Sequence, residues 1–119
     1  MNFEAIRKYC LSFSHATEDV QWKTVLLFRV GGKIFAMLNL DESAVDKLAF
    51  KCHPEIYADL IERDGIISAP YTGRFSWVAL QRFDALKAEE LKSLLEDSYQ
   101  IIFNKLPKKL KMQFAREVS

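Results

Sequence analysis

Apolar positions in this chain follow two periods, and the switch between them marks out its elements. Phe3, Ile6, Cys10 and Phe13 recur at three- and four-residue intervals, which predicts a short amphipathic helix over residues 2–12 with Asn2 as its N-cap. A polar breaker over 12–17 leads to a short edge strand over 19–22. Residues 24–39, TVLLFRVGGKIFAMLN, read as a β-hairpin closed by Gly31-Gly32. A type I′ turn needs positive φ at both central positions, and glycine supplies it without a Cβ clash. The turn sets a register in which Val30 faces Lys33, Phe28 faces Phe35, Leu26 faces Met37 and Thr24 faces Asn39. One face of the hairpin then carries Leu26, Phe28, Val30, Phe35 and Met37; the other carries Val25, Leu27, Ile34, Ala36 and Leu38. A half-solvated antiparallel strand alternates apolar with polar. This hairpin is apolar on both faces, so helices are expected on one and a second element or another subunit on the other.

Beyond the hairpin, residues 41–46 (DESAVD) read as a solvated acidic turn; one such stretch does not assemble the several converging oxygens a divalent cation needs. Residues 47–52 alternate again, with Leu48, Phe50 and Cys52 inward, and predict a third strand. His53-Pro54-Glu55 opens a helix, with His53 in a structural N-cap position and proline in the first turn, where its missing N–H costs nothing. Its apolar face is Ile56, Tyr57, Leu60 and Ile61, and Gly65 ends it. Residues 66–73 read as a loop. Residues 75–81 form a strand with Phe75, Trp77 and Ala79 on one side and Ser76, Val78 and Leu80 on the other. After a turn over 82–86, residues 87–106 form the longest helix, striped by Leu91, Leu95, Tyr99, Ile102 and Leu106. Ser98 and Tyr99 lie at the edge of that stripe, so a buried hydroxyl there needs a partner. Pro107 breaks the helix, and a second helical run follows. The order predicts an α+β fold: a two-layer, antiparallel β-meander packed with N-terminal, middle and C-terminal helices, in one domain over residues 1–119.

Composition narrows the function more than the fold. Half the 119 residues are hydrophobic and 28% are charged, an ordinary globular balance. The formal net charge is +1, so polyanion binding has to come from a local patch rather than a global field. Cys10 and Cys52 are far apart, outside any CxxC pattern, and read as two reduced, buried thiols. The first ten residues carry both charge signs and no long apolar run, and no stretch approaches the roughly 20 apolar residues of a membrane span. A cytoplasmic location without membrane contact is expected. There is no HExxH, GxSxG, P-loop or GxGxxG motif, and His15 and His53 share no ligand spacing. The expectation is a protein without catalytic residues, metal or cofactor.

One charge feature stands out: Lys105, Lys108, Lys109, Lys111 and Arg116 cluster toward the C-terminus. With Lys33 on the hairpin turn and Arg74 and Arg82 flanking the Trp77 strand, these cations are the candidate phosphate contacts. A solvated helix face is the structural alternative. Two other readings stay open: a dimeric protein-interaction module using the open sheet face, and a small-molecule pocket around Trp77, Tyr99 and Lys51.

Several stretches together resemble the MmcQ/YjbR family of small bacterial proteins. They are Phe28 to Ala36 (FRVGGKIFA, against the family's F-K-V-x-G-K-x-F-A), Phe50 to Glu55 (FKCHPE, against its lysine followed by D-P-E), Trp77, and Asp97-Ser98-Tyr99. Their order and spacing match over about 20–106, leaving 107–119 as a basic C-terminal helix. The resemblance implies a secretion-chaperone-like α+β fold. It also implies DNA binding by a double-wing arrangement, with the hairpin tip and the loop before Trp77 as wings. This sequence departs from the pattern twice: His53 stands where the family has aspartate, and residues 69–76 (APYTGRFS) replace a proline-glycine stretch ending in basic residues and histidine.

Overall fold

The two periods become two layers in the computed structural model, which describes residues 1–69 and 76–118. Its elements run α1 (Phe3–Leu11), β1 (Thr17–Gln21), β2 (Val25–Val30), β3 (Lys33–Asn39), β4 (Leu48–Lys51), α2 (Pro54–Glu62), β5 (Ile66–Ser68), β6 (Trp77–Leu80), a 3-10 turn (Phe83–Ala85), α3 (Ala88–Asn104) and α4 (Lys108–Val118). The strands form one antiparallel sheet in the order β1-β2-β3-β4-β6-β5. The fold is α+β, as the sequence predicted.

Local chemistry places most element ends. Asn2 caps α1, its Oδ1 accepting from the Ala5 N–H at 2.8 Å. Pro54 starts α2 behind His53, which occupies the N-cap without a side-chain hydrogen bond. Residues 66–68, expected as loop, instead add an edge strand to β6. Three residues are too few for periodicity to reveal, and pairing with Val78, Ala79 and Leu80 makes them a strand. Ala69 continues the pairing, its N–H donating to the Trp77 carbonyl at 3.0 Å, and residues 70–75, Arg74 and Phe75 among them, lie outside the described residues.

The hairpin departs from the simple register. Gly31 and Gly32 take φ of 58° and 82°, and Val30 pairs with Lys33 as expected. A bulge follows: Arg29 pairs with Ile34 but Phe28 pairs with Ala36, so Phe35 is an extra residue on β3. Beyond it Leu27 faces Met37, Leu26 faces Leu38 and Val25 faces Asn39, one step from the expected pairs. Ala36 and Leu38 thereby turn to the face expected for Met37, and Met37 turns to theirs. Phe28 and Phe35 still meet in the core, with ring centroids 6.3 Å apart.

Ser98 of α3 completes the ladder that the bulge interrupts. Its Oγ donates to the Phe35 carbonyl at 2.6 Å and accepts from the Lys51 N–H at 3.0 Å, bridging β3 and β4 where their direct pairing stops. The Tyr99 hydroxyl donates to the Ser14 carbonyl at 2.7 Å. Both hydroxyls on the helix stripe therefore have the partners that burial demands.

The two sheet faces have different fates. Leu26, Phe28, Val30, Phe35, Ala36, Leu38, Leu48, Phe50, Val78 and Leu80 join residues of all four helices in one large core. Leu27, Met37, Ala49, Trp77 and Ala79 form a smaller cluster on the opposite face, bordered by Val25, Ile34 and Ile67. Among the described residues no helix contributes to that second cluster.

Candidate nucleic-acid interface

The β2–β3 turn is held down rather than free. A Cβ built on Gly31 would lie 2.7 Å from both terminal methyls of Leu106 and 3.0 Å from a Leu110 methyl, so the turn backbone sits directly against the α3–α4 elbow. Only glycine allows that approach. Helix α4 is fixed in turn by Leu110 and Phe114 packing on the main core, and by His15, whose ring stacks on Phe114 at 4.0 Å. The His15 Nε2 lies 3.0 Å from a Glu117 carboxylate oxygen. Hairpin tip and elbow are thus one packed unit.

That packing gathers cations. A cleft of about 910 Å³ lies on the sheet face opposite the main core and reaches the end of α3, lined by Trp22, Val25, Arg29, Gly32, Lys33, Ile34, Met37, Lys51, Trp77, Ile102 and Lys105. Four of these are basic, and no described carboxylate lines it. Arg29 is braced: its Nε donates to Asp19 Oδ1 at 2.8 Å and its Nη1 to the Gly32 carbonyl at 3.0 Å. Hydrogen bonds from Gln21 and Arg29 hold the Asp19 carboxyl below its usual range. Lys33 and Lys105 are exposed on the cleft's rim. Lys105 also caps the C-terminus of α3, where a cation complements the helix dipole.

The other expected contacts divide. Lys108 and Lys109 are exposed on α4, but Lys109 shares its surface with Gln113, Arg116 and Glu117, apart from the cleft. Lys111 is half-buried, with Nζ 3.3 Å from the Asn104 carbonyl. Arg82 is spent on the fold, paired with Asp64 at 3.1 Å and Asp84 at 3.0 Å, beyond the end of β6 opposite Trp77. Arg74 lies outside the described residues. Structure therefore brings together Lys33 and Lys105, and leaves Arg82 elsewhere.

The proposed grouping of Trp77, Tyr99 and Lys51 does not form. Trp77 and Lys51 line the cleft, whereas Tyr99 packs on the helix side, stacked on Phe13 at 4.7 Å. The sheet separates them. Burial pushes the Cys10 thiol up to about 12 and the Cys52 thiol up to about 11, so neither is a ready nucleophile at neutral pH.

Sequence reading missed Trp22. Expected at the end of a strand, it instead opens the three-residue connection between β1 and β2, where the Thr24 N–H donates to the Gln21 carbonyl at 3.3 Å. Trp22 and Lys23 have φ of 52° and 62° although neither is glycine. The usual glycine signature of a short hairpin connection is absent; only its spacing between two strand-like runs could have revealed it.

A family model for YjbR matches residues 11–101. Among solved structures, a Deinococcus radiodurans protein described by the domain name DUF419 superposes with a TM-score of 0.83 and 22% identity, covering 94% of this chain and 86% of its own. A Pseudomonas syringae protein superposes with a TM-score of 0.69 and 22% identity, covering 86% of this chain and 99% of its own. At that identity the two likenesses establish the fold alone. No match was found among curated proteins.

Proposed function

The chain belongs to the YjbR family, and from that premise we propose that it binds DNA through phosphate contacts, without base-specific readout and without catalysis. The observation that carries this reading is the meeting of Lys33 and Lys105 on the rim of a cleft with no described carboxylate lining, beside the exposed Lys108 at the start of α4. With a net charge of +1 the attraction is local, so it falls steeply as salt screens it. Fluorescence anisotropy with a labelled duplex, titrated at several salt concentrations, tests it. Lys33→Glu with Lys105→Glu should weaken binding at least roughly tenfold at low salt and flatten the salt slope by about two contacts. Absence of binding at low salt, or indifference to this pair and to Lys108→Glu with Lys109→Glu, overturns the reading.

A second reading rests on a different observation. Val25, Ile34 and Ile67 border the second cluster and stay only half-buried, near the exposed Trp22, so this face is the natural seat for a second copy of the chain. Light scattering on the purified protein decides it: a dimer supports a protein-interaction module, and a monomer at high micromolar concentration removes it.

A further inference from the structure

The feature least explained by the fold is Trp22. Its side chain is 74% exposed, so it adds little to the core. Its backbone and that of Lys23 are both left-handed, a conformation that costs non-glycine residues on the order of 1 kcal/mol each. A large apolar ring held mostly in water on a strained turn adds little to the stability of the chain. It stands at one end of the cleft, whose floor includes Val25, Met37, Ile34 and Trp77, and whose far end carries Lys33 and Lys105.

The geometry points to a single-stranded DNA site in this cleft: one base stacks on Trp22, and the sugar–phosphate backbone crosses the sheet toward Lys33 and Lys105. This deepens the DNA-binding reading and rests on it. The six residues of β2 separate Trp22 from the β2–β3 turn, about 20 Å at the usual strand rise of ~3.3 Å per residue. One nucleotide is too short to touch both ends. A run of about four to six, at roughly 3.4 Å or more each, is not. Stacking also selects for unpaired strand, because a base inside a duplex has both faces covered by its neighbours and cannot meet Trp22. Sequence tolerance follows, since every base offers a π-face. The already paired Arg29 positions rather than binds: its bonds to Asp19 and to the Gly32 carbonyl tie β1 and the turn that carries Lys33 to β2.

Anisotropy at about 50 mM salt, with a labelled oligothymidylate of about eight nucleotides beside a blunt duplex, tests the assignment. The oligothymidylate should bind at least roughly tenfold tighter than the duplex. Trp22→Ala should weaken it roughly 5- to 100-fold, the loss of one stacked base, and leave duplex affinity unchanged. Trp22→Asn, which suits the left-handed backbone, should show the same loss with an unchanged melting temperature. Single strand binding no tighter than duplex, or indifference to both Trp22 variants, overturns the inference while the duplex result leaves the broader reading standing. If neither DNA binds, both fall together. Thymidine monophosphate competing as strongly as the oligothymidylate overturns the extended-strand assignment. So does a dimer abolished by Trp22→Ala, because a second copy would then occupy the cleft.

Discussion

One sheet presents two apolar faces, and they do different things. On the helix side Phe28, Phe35 and Phe50 are fully buried beneath four helices, and the hydroxyls of Ser98 and Tyr99 both find backbone partners there. On the other side a smaller cluster of Leu27, Met37, Ala49, Trp77 and Ala79 adjoins a cleft edged by cations and by an exposed indole. Stability is concentrated on the first face. The second carries the half-buried Val25 and Ile34 and the exposed Lys33 and Lys105 along the cleft, an arrangement that favours a ligand over a tight core. Alternation alone makes the two faces look equivalent; it is the company each keeps that separates scaffold from binding surface.

The sharpest way to break that contrast is to truncate one residue on each face of β3. Phe35→Ala should cost about 3–5 kcal/mol, because the ring is fully buried and in contact with Phe28, Phe13 and Tyr99. Ile34→Ala, half-buried at the cleft, should cost only about 1 kcal/mol. Urea denaturation measures both, and equal losses would erase the distinction. Next comes Ser98→Ala, which leaves the Phe35 carbonyl and the Lys51 N–H without their bridge. A loss of about 2–3 kcal/mol is expected, with faster amide exchange at Lys51. If stability is unchanged, the bulge is not held by this hydroxyl.

The two turn glycines sharpen the link between faces. Both have positive φ, but Gly31 is pressed on Leu106 and Leu110 while Gly32 has open space. Gly32→Ala should cost about 1 kcal/mol from backbone strain alone. Gly31→Ala should cost about 1 kcal/mol more and increase amide exchange in α4, whereas equal effects would mean that the elbow gives way freely. The smallest effect is acid. Hydrogen bonding to Arg7 lowers the Glu18 carboxyl, and bonds from Gln21 and Arg29 lower Asp19, both on edge strand β1. A depressed folded value gives stability that is present above the ordinary carboxylate range and lost as pH falls through the depressed values. The melting temperature should therefore be flat near neutrality and decline modestly below about pH 4. Replacing Glu18 and Asp19 by their amides should remove part of that decline.

Much of the architecture was legible in the sequence because it is local. Asn2, Pro54, Pro107 and the Gly31-Gly32 pair act within a few residues of themselves, and the periods of 3.6 and 2 follow from backbone geometry. The same reading recovered the inward sets of β4 and β6 and the stripe of α3, and the family resemblance holds over residues 11–101. The candidate site was legible only in pieces. Lys33, Lys105 and Trp77 stood out singly, but Lys33 and Lys105 are 72 positions apart (105 minus 33) and meet only through the seating of Gly31 under the α3–α4 elbow. Arg82 was indistinguishable from a free cation until Asp64 and Asp84 were found beside it.

Sequence by itself determined the elements, their order and the fact that the hairpin is apolar on both sides, since each depends on side chains within one or two turns of chain. Tertiary structure decided which residue of β3 bulges, which face Met37 and Leu38 occupy, and that Trp22 stands exposed at the mouth of a basic cleft. Those outcomes depend on partners far along the chain. A bulge at Phe35 is favourable only because Ser98, 63 residues later, bonds the groups it leaves unpaired.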